Sequence, residues 1–121
     1  MAKTDDLSKT YLRFLSLVSA IRGLPTFPAL DAVEEQVLNV LAATWATGAK
    51  VTVLEAMKLV TNTSATTVHR RLKTLRKKGM VELQEDAADS RIKYVVPTEV
   101  AEAYFAKLGQ CMDMATRASN A

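Results

Sequence analysis

A mainly helical fold carrying one small β-hairpin is what this sequence predicts, on three observations. Apolar residues recur at spacings of three and four through most of the chain. Two stretches, at Asp31 and Thr52, carry the side-chain spacing that caps helices. After Gly79 the apolar period drops to two, for a single pair of short runs. With 121 residues the chain is long enough for one hydrophobic core but not for two.

The elements follow in order. Residues Asp5 to Arg22 predict an amphipathic helix in which Leu7, Tyr11, Phe14, Leu15, Val18 and Ile21 form a stripe, with Asp5 and Asp6 placed where carboxylates favour the helix dipole. "GLPTFPAL" breaks the chain with a glycine and two prolines. A second helix starts at "DAVEEQVLNVLAATWATG", capped by Asp31 with Glu34 and stopped by Gly48. Its apolar positions are Val33, Val37, Leu38, Val40, Leu41 and Trp45, and Trp45 reads as core. Val51 suits a brief strand, and Thr52 with Glu55 repeats the capping spacing before "VLEAMKLV". "TNT" is a turn. The next helix runs from about Ser64 to Gly79, with Val68, Leu72 and Leu75 on one inward stripe.

"MVELQED" then alternates through Val81 and Leu83, and "RIKYVV" through Ile92, Tyr94 and Val96, with "DAADS" as the loop between them. Pro97 ends the second strand and Thr98 caps a last helix. Its stripe is Val100, Tyr104, Leu108, Met112 and Ala115, with Cys111 beside it. Gly109 weakens that helix by roughly 1 kcal/mol relative to alanine.

Composition removes several function classes. No apolar run is long enough to cross a membrane. "MAKTDDLSKTYLRF" places acids where a signal peptide needs its apolar core, so the expected setting is cytoplasmic. One cysteine, Cys111, allows no internal disulfide, and one histidine, His69, leaves no zinc site of ordinary ligand count. Cys111 beside an apolar stripe reads as a packed thiol rather than a redox sensor. Met112 and Met114 read as interface or core filler. An enzyme built on Cys111 and His69 would lack a third orienting residue. The expectation is therefore no catalysis, no metal and no cofactor.

The charge distribution is informative. The formal net charge is only +3, yet Ser64–Lys78 holds six basic residues and no acidic one, so the remainder of the chain sums to −3. Like charges at helical neighbour positions repel by a few tenths of a kcal/mol per pair. Something other than the stability of the fold favours them, and a surface aimed at a polyanion is the direct reading. Helix, turn, basic helix and hairpin together make a winged helix–turn–helix. The expected division is 1–28 as an N-terminal dimerisation helix and linker, 29–97 as the winged helix–turn–helix, and 98–121 as a C-terminal dimerisation helix.

Over roughly Ala29 to Thr98 the sequence resembles the MarR family of bacterial transcription regulators. "TVHRRLKTLRKKGMV" (Thr67 to Val81) is similar to the recognition helix of that family, and "DSRIKYVVPT" (Asp89 to Thr98) to its wing. Asp89 and Arg91 match the Asp-x-Arg of the wing. Pro97 replaces a leucine, and Ala101 stands where a glycine is common. The resemblance implies that Thr67 and Arg70 face DNA. It also implies a small-molecule effector, because family members often bind phenolic or other aromatic ligands between the dimerisation and DNA-binding parts. No residue here points to a particular ligand.

The chemistry of a helix entering the major groove asks for short polar side chains that fit close, and for arginine able to grip guanine at two atoms. Ser64, Thr66, Thr67, Arg70 and Arg71 supply these. Lys73, Lys77 and Lys78 lie further along and suit phosphates, which position a protein without reading sequence. His69 is either a DNA contact or a solvent-facing residue. In the wing, Arg91 suits the narrow minor groove, held by Asp89, with Lys93 nearby. Glu85, Asp86 and Asp89 add three carboxylates that phosphates would repel, so a hairpin that only completes the fold is the alternative.

The terminal helices carry stripes that a central winged helix does not need. Tyr11, Leu15 and Val18 from one, and Tyr104, Leu108 and Met112 from the other, are the expected dimer contacts. The function expected is sequence-specific binding of double-stranded DNA by a homodimeric transcriptional regulator, read as a repressor, on a near-palindromic operator. Two alternatives stay open: a plasmid or phage replication or partition protein, and a winged-helix module for an acidic protein partner.

Overall fold

The computed structural model describes residues 2–119, with side chains for 3–117. The element order is α1 (Ala2–Arg22), α2 (Ala32–Trp45), β1 (Val51–Thr52), α3 (Val53–Leu59), α4 (Ala65–Lys77), β2 (Val81–Glu85), β3 (Lys93–Pro97) and α5 (Glu99–Ser119). The outer residues of the expected terminal segments, 1 and 120–121, lie outside the described ones. The chain forms two compact units, one of Met1–Ala29 with Glu102–Ala121 and one of Leu30–Ala101.

The second unit is the mixed one. Both capping boxes form: the Asp31 carboxylate accepts from the Glu34 N–H while Glu34 accepts from the Asp31 N–H, and Thr52 with Glu55 does the same at the start of α3. α2 ends at Trp45, and the chain turns through Gly48 at φ +85°. α4 ends in a Schellman motif, in which the Met80 N–H reaches the Leu75 carbonyl at 2.9 Å and the Gly79 N–H the Arg76 carbonyl at 3.0 Å. Gly79 sits at φ +78°, where a side chain would be strained. The core collects Val37, Leu38 and Leu41 from α2, Val68, Leu72 and Leu75 from α4, and Val51, Val81 and Val95 from the strands.

The sheet is antiparallel in the order β1-β3-β2, with Val51 and Leu83 both opposite Val95. This corrects the strand reading at one point. Alternation through Ile92, Tyr94 and Val96 marks the face away from the core. Ile92 precedes the strand and is exposed, while Val95 is fully buried. Cross-strand partners share a face, so pairing with Val51 and Leu83 carries Val95 inward and turns its neighbours out. Trp45 also differs from expectation. It is half-buried, and its indole N–H donates to the Val95 carbonyl at 3.0 Å. An indole taken partly out of water needs an acceptor, and the central strand of the sheet provides one.

The first unit contains α1 and most of α5. Val18, Tyr104, Cys111 and Ala115 are its buried side chains among those described. The Tyr104 ring stacks on Phe27 with centroids 5.0 Å apart and meets Phe105 edge-on at 5.8 Å. The buried line of α5 therefore runs Ala101, Tyr104, Cys111 and Ala115. The expected stripe is corrected at Val100 and Met112, which are exposed, while Cys111 lies within the line rather than beside it. Leu7, Tyr11, Leu12 and Leu15 of α1 are exposed too. The apolar surface of these helices is wider than one copy of the chain covers.

Candidate nucleic-acid interface

α4 presents its side chains in four directions. Val68, Leu72 and Leu75 enter the core. Thr66, Arg70, Lys73 and Lys77 recur at spacings of four, three and four, and all are exposed. His69, Lys73 and Arg76 rim a hollow of about 100 Å³ whose apolar walls are Val53, Leu72 and Leu83, at the foot of the hairpin. Arg71, Thr74 and Lys78 face the start of α2.

The N-terminus of α4 is well prepared. The Ser64 hydroxyl accepts from the Thr67 N–H at 3.1 Å and donates to the Thr67 hydroxyl at 2.8 Å. Ser64, Thr66 and Thr67 thus open the helix with short polar groups.

The α2-facing side was not anticipated. Glu34 is 1% exposed. Its carboxylate accepts from the Thr74 hydroxyl at 2.7 Å and the Lys78 ammonium at 2.6 Å, besides the Asp31 N–H at 2.8 Å. Burial alone would raise its pKa, but the bonds from Lys78, Asp31 and Thr74 together hold it below the ordinary glutamate value. Beside it Arg71 reaches Asp31 at 3.2 Å. Arg71, expected among the base contacts, and Lys78, expected among the phosphate contacts, are therefore tied to α2. Sequence spacing could flag the capping box but not this second use of Glu34.

At the wing tip each of Glu85, Asp86 and Asp89 has a partner. Asp86 accepts from the Ala88 and Asp89 N–H groups at 2.9 and 3.1 Å and from the Tyr94 hydroxyl at 2.9 Å. The Ala88 N–H first, then Tyr94, keep its pKa low, and the same bond raises that of Tyr94. Asp89 takes Arg91 in a two-point grip, Nε and Nη2 each at 3.0 Å, as the sequence suggested. The Arg91 side chain nevertheless remains 89% exposed. Lys93 pairs with Glu85 at 2.5 Å. The Lys50 ammonium lies over the Tyr94 ring, 5.2 Å from its centroid, adding a cation that the sequence reading missed. The three acids thus bind the wing to itself. Among the described residues Arg70, Lys73, Arg76 and Lys77 carry no ion pair.

The expected dimer residues divide in two. Tyr11, Leu15 and Met112 are exposed and Leu108 is half-buried, whereas Val18 and Tyr104 pack within their own unit.

A capped basic helix set against a three-stranded sheet, two of whose strands form a hairpin, defines a winged helix–turn–helix DNA-binding module. The chain belongs to the winged helix DNA-binding domain family, whose profile matches residues 30–101. Among solved structures it is similar to a probable transcriptional regulator from Pseudomonas aeruginosa, at 19% identity and TM-score 0.56 over 93% of this chain and 78% of that one. It is likewise similar to a mutant of MepR from S. aureus, at 18% identity and TM-score 0.58, over 98% and 75% of the two chains. A third is BpsR from Bordetella bronchiseptica, whose DNA binding is regulated by 6-hydroxynicotinic acid, at 19% identity and TM-score 0.52, over 98% and 84%. No curated protein matches the chain in sequence. The winged helix–turn–helix expected from the sequence is the fold observed. No helix among the described residues is long and apolar enough to cross a membrane.

Proposed function

We propose that the protein is a cytoplasmic transcriptional regulator, a repressor, that binds a near-palindromic operator in double-stranded DNA as a homodimer. The observation that carries this reading is the outer stripe of α4. Thr66, Arg70, Lys73 and Lys77 are exposed in a row, and none of the three cations has a counter-ion among the described residues. Unpaired like charges on one helix face cost stability, and phosphates relieve that cost. Arg70, nearest the capped end, is placed to read a base, while Lys73 and Lys77 meet the backbone.

The dimer rests on the first unit. Leu7, Tyr11 and Leu12 of α1 and Met112 and Met114 of α5 are each more than half exposed. A groove of about 380 Å³ runs among Leu7, Tyr11, Phe14 and Met112. A monomer seldom leaves this much contiguous apolar surface to water. A two-fold pairing would set two copies of α4 about 34–36 Å apart, one turn of DNA. Selection of bound fragments from genomic DNA tests the reading. Recovered sites should share an inverted repeat with half-sites about one turn apart, and a lack of enrichment over random duplex would overturn it.

A further inference from the structure

The six basic residues between Ser64 and Lys78 are not electrostatically equivalent. Arg71 and Lys78 lie against Asp31 and Glu34, which come from a single turn at the start of α2. Glu34 is almost fully buried, and three donors converge on its carboxylate, so its charge is held in place rather than loosely screened. Lys77, the immediate neighbour of Lys78, is exposed and unpaired among the described residues. Two adjacent lysines at the end of one helix thus have different electrostatic partners.

We propose that the first turn of α2 is a built-in counter-ion for the recognition helix: Asp31 and Glu34 withhold Arg71 and Lys78 from DNA phosphates, and so limit how tightly the protein holds DNA of any sequence. The inference rests on the DNA-binding reading above and specifies how that site is regulated. Binding to arbitrary duplex is dominated by counter-ion release, which scales with the number of phosphates neutralised. A cation already matched by a carboxylate fixed beside it releases little; Glu34 matches Lys78 from a buried position, and Asp31 matches Arg71 from an exposed one. Base readout by Arg70 is untouched by the pairing. Subtracting two cations therefore lowers the non-specific term and leaves the specific one, which widens the ratio that decides occupancy in a genome of competing sites.

The test compares Lys77→Gln with Lys78→Gln in the full chain, using fluorescence anisotropy on random duplex over a salt series. Glutamine can still donate to Glu34, so Lys78→Gln keeps the clasp partnered. Lys77→Gln should lower the slope of log K against log salt by about 0.9 per bound protomer, and Lys78→Gln should leave it unchanged. Glu34→Gln should do the reverse and steepen the slope by about the same amount, raising affinity for random duplex at low salt by roughly threefold per protomer over a fourfold salt change. A loss of slope in Lys78→Gln equal to that in Lys77→Gln would overturn the inference while leaving DNA binding intact. A wild-type protein that binds no duplex at any salt would overturn the DNA-binding reading itself, and with it this inference. Circular dichroism of each variant separates a folding defect from either result, and the two lysine variants suffice if Glu34→Gln does not fold.

Discussion

The Tyr94 hydroxyl donates to Oδ1 of Asp86 at 2.9 Å, joining the start of one wing strand to the first residue of the wing loop. Tyr94→Phe removes that donor and leaves the ring. The Asp86 carboxyl should then titrate closer to the ordinary aspartate value, though not reach it, because the Ala88 N–H, the larger influence, stays. Asp86 is lowered in the fold, so what it contributes is present above the ordinary value and lost as pH falls below it. Carbon-detected NMR titration of the variant and the parent checks this, and an unmoved Asp86 would refute it.

Glu34 predicts an acid limb in global stability. Its pKa is depressed on balance, so its stabilising effect is complete above the ordinary value of 4.5 and fades as pH drops through the lower folded value. Glu34→Ala should cost about 1–3 kcal/mol at neutral pH, less than a fully buried pair because Lys78 is partly in water. Urea unfolding at pH 7 and at pH 3.5 should show that gap narrow on acidification. A pH-independent gap would mean that packing, not the ionised carboxylate, sets the loss.

Arg70 stands out among the exposed cations for its place near the capped start of α4. If it reads a guanine, Arg70→Ala should weaken specific binding by about 1–3 kcal/mol and relax base preference at one symmetric pair of positions. Equal losses on specific and random duplex would make it a phosphate contact.

The structure also changes which residue best tests the dimer. Leu108 is half-buried in its own unit, whereas Met112 is 59% exposed. Met112→Glu should spare the protomer and place a carboxylate in the proposed interface, where burial without a partner costs several kcal/mol. Sedimentation should find a folded monomer with operator affinity largely lost. A dimer that survives would move the contact elsewhere on the first unit.

Two glycines should respond in opposite directions. A Cβ at Gly109 would meet nothing within 4 Å, and the residue lies in mid-helix, so Gly109→Ala should stabilise by about 0.5–1 kcal/mol. Gly79 also has room but sits at φ +78°, so Gly79→Ala should destabilise by about 1–2 kcal/mol. Denaturant midpoints decide both.

What could be read from the sequence was local. The two capping boxes, the Val68, Leu72 and Leu75 stripe, and Gly79 as a helix stop all depend on residues within a turn or two of each other, and all formed. Long-range relations were not visible. Thr74 and Lys78 lie 40 and 44 residues from Glu34, and no spacing rule connects them. The face of β3 was misjudged because its register is set partly by a two-residue strand, too short to show a period. The stripes on the terminal helices showed that apolar area needed cover. They did not distinguish cover by the chain itself, as at Tyr104, from area left open, as at Tyr11.

Thr52 belongs to two elements at once. It pairs with Tyr94 as the last residue of β1, and its hydroxyl accepts from the Glu55 N–H as the cap of α3, with no residue between strand and helix. That joint has no slack. An inserted or deleted residue there would have to break either the ladder or the cap. The wing loop, by contrast, hangs between β2 and β3, whose pairing at Glu85 and Lys93 closes the sheet before it. Changes in chain length are therefore tolerable in the wing and forbidden at Thr52, so the reach of the hairpin can vary while its distance from the helix–turn–helix cannot.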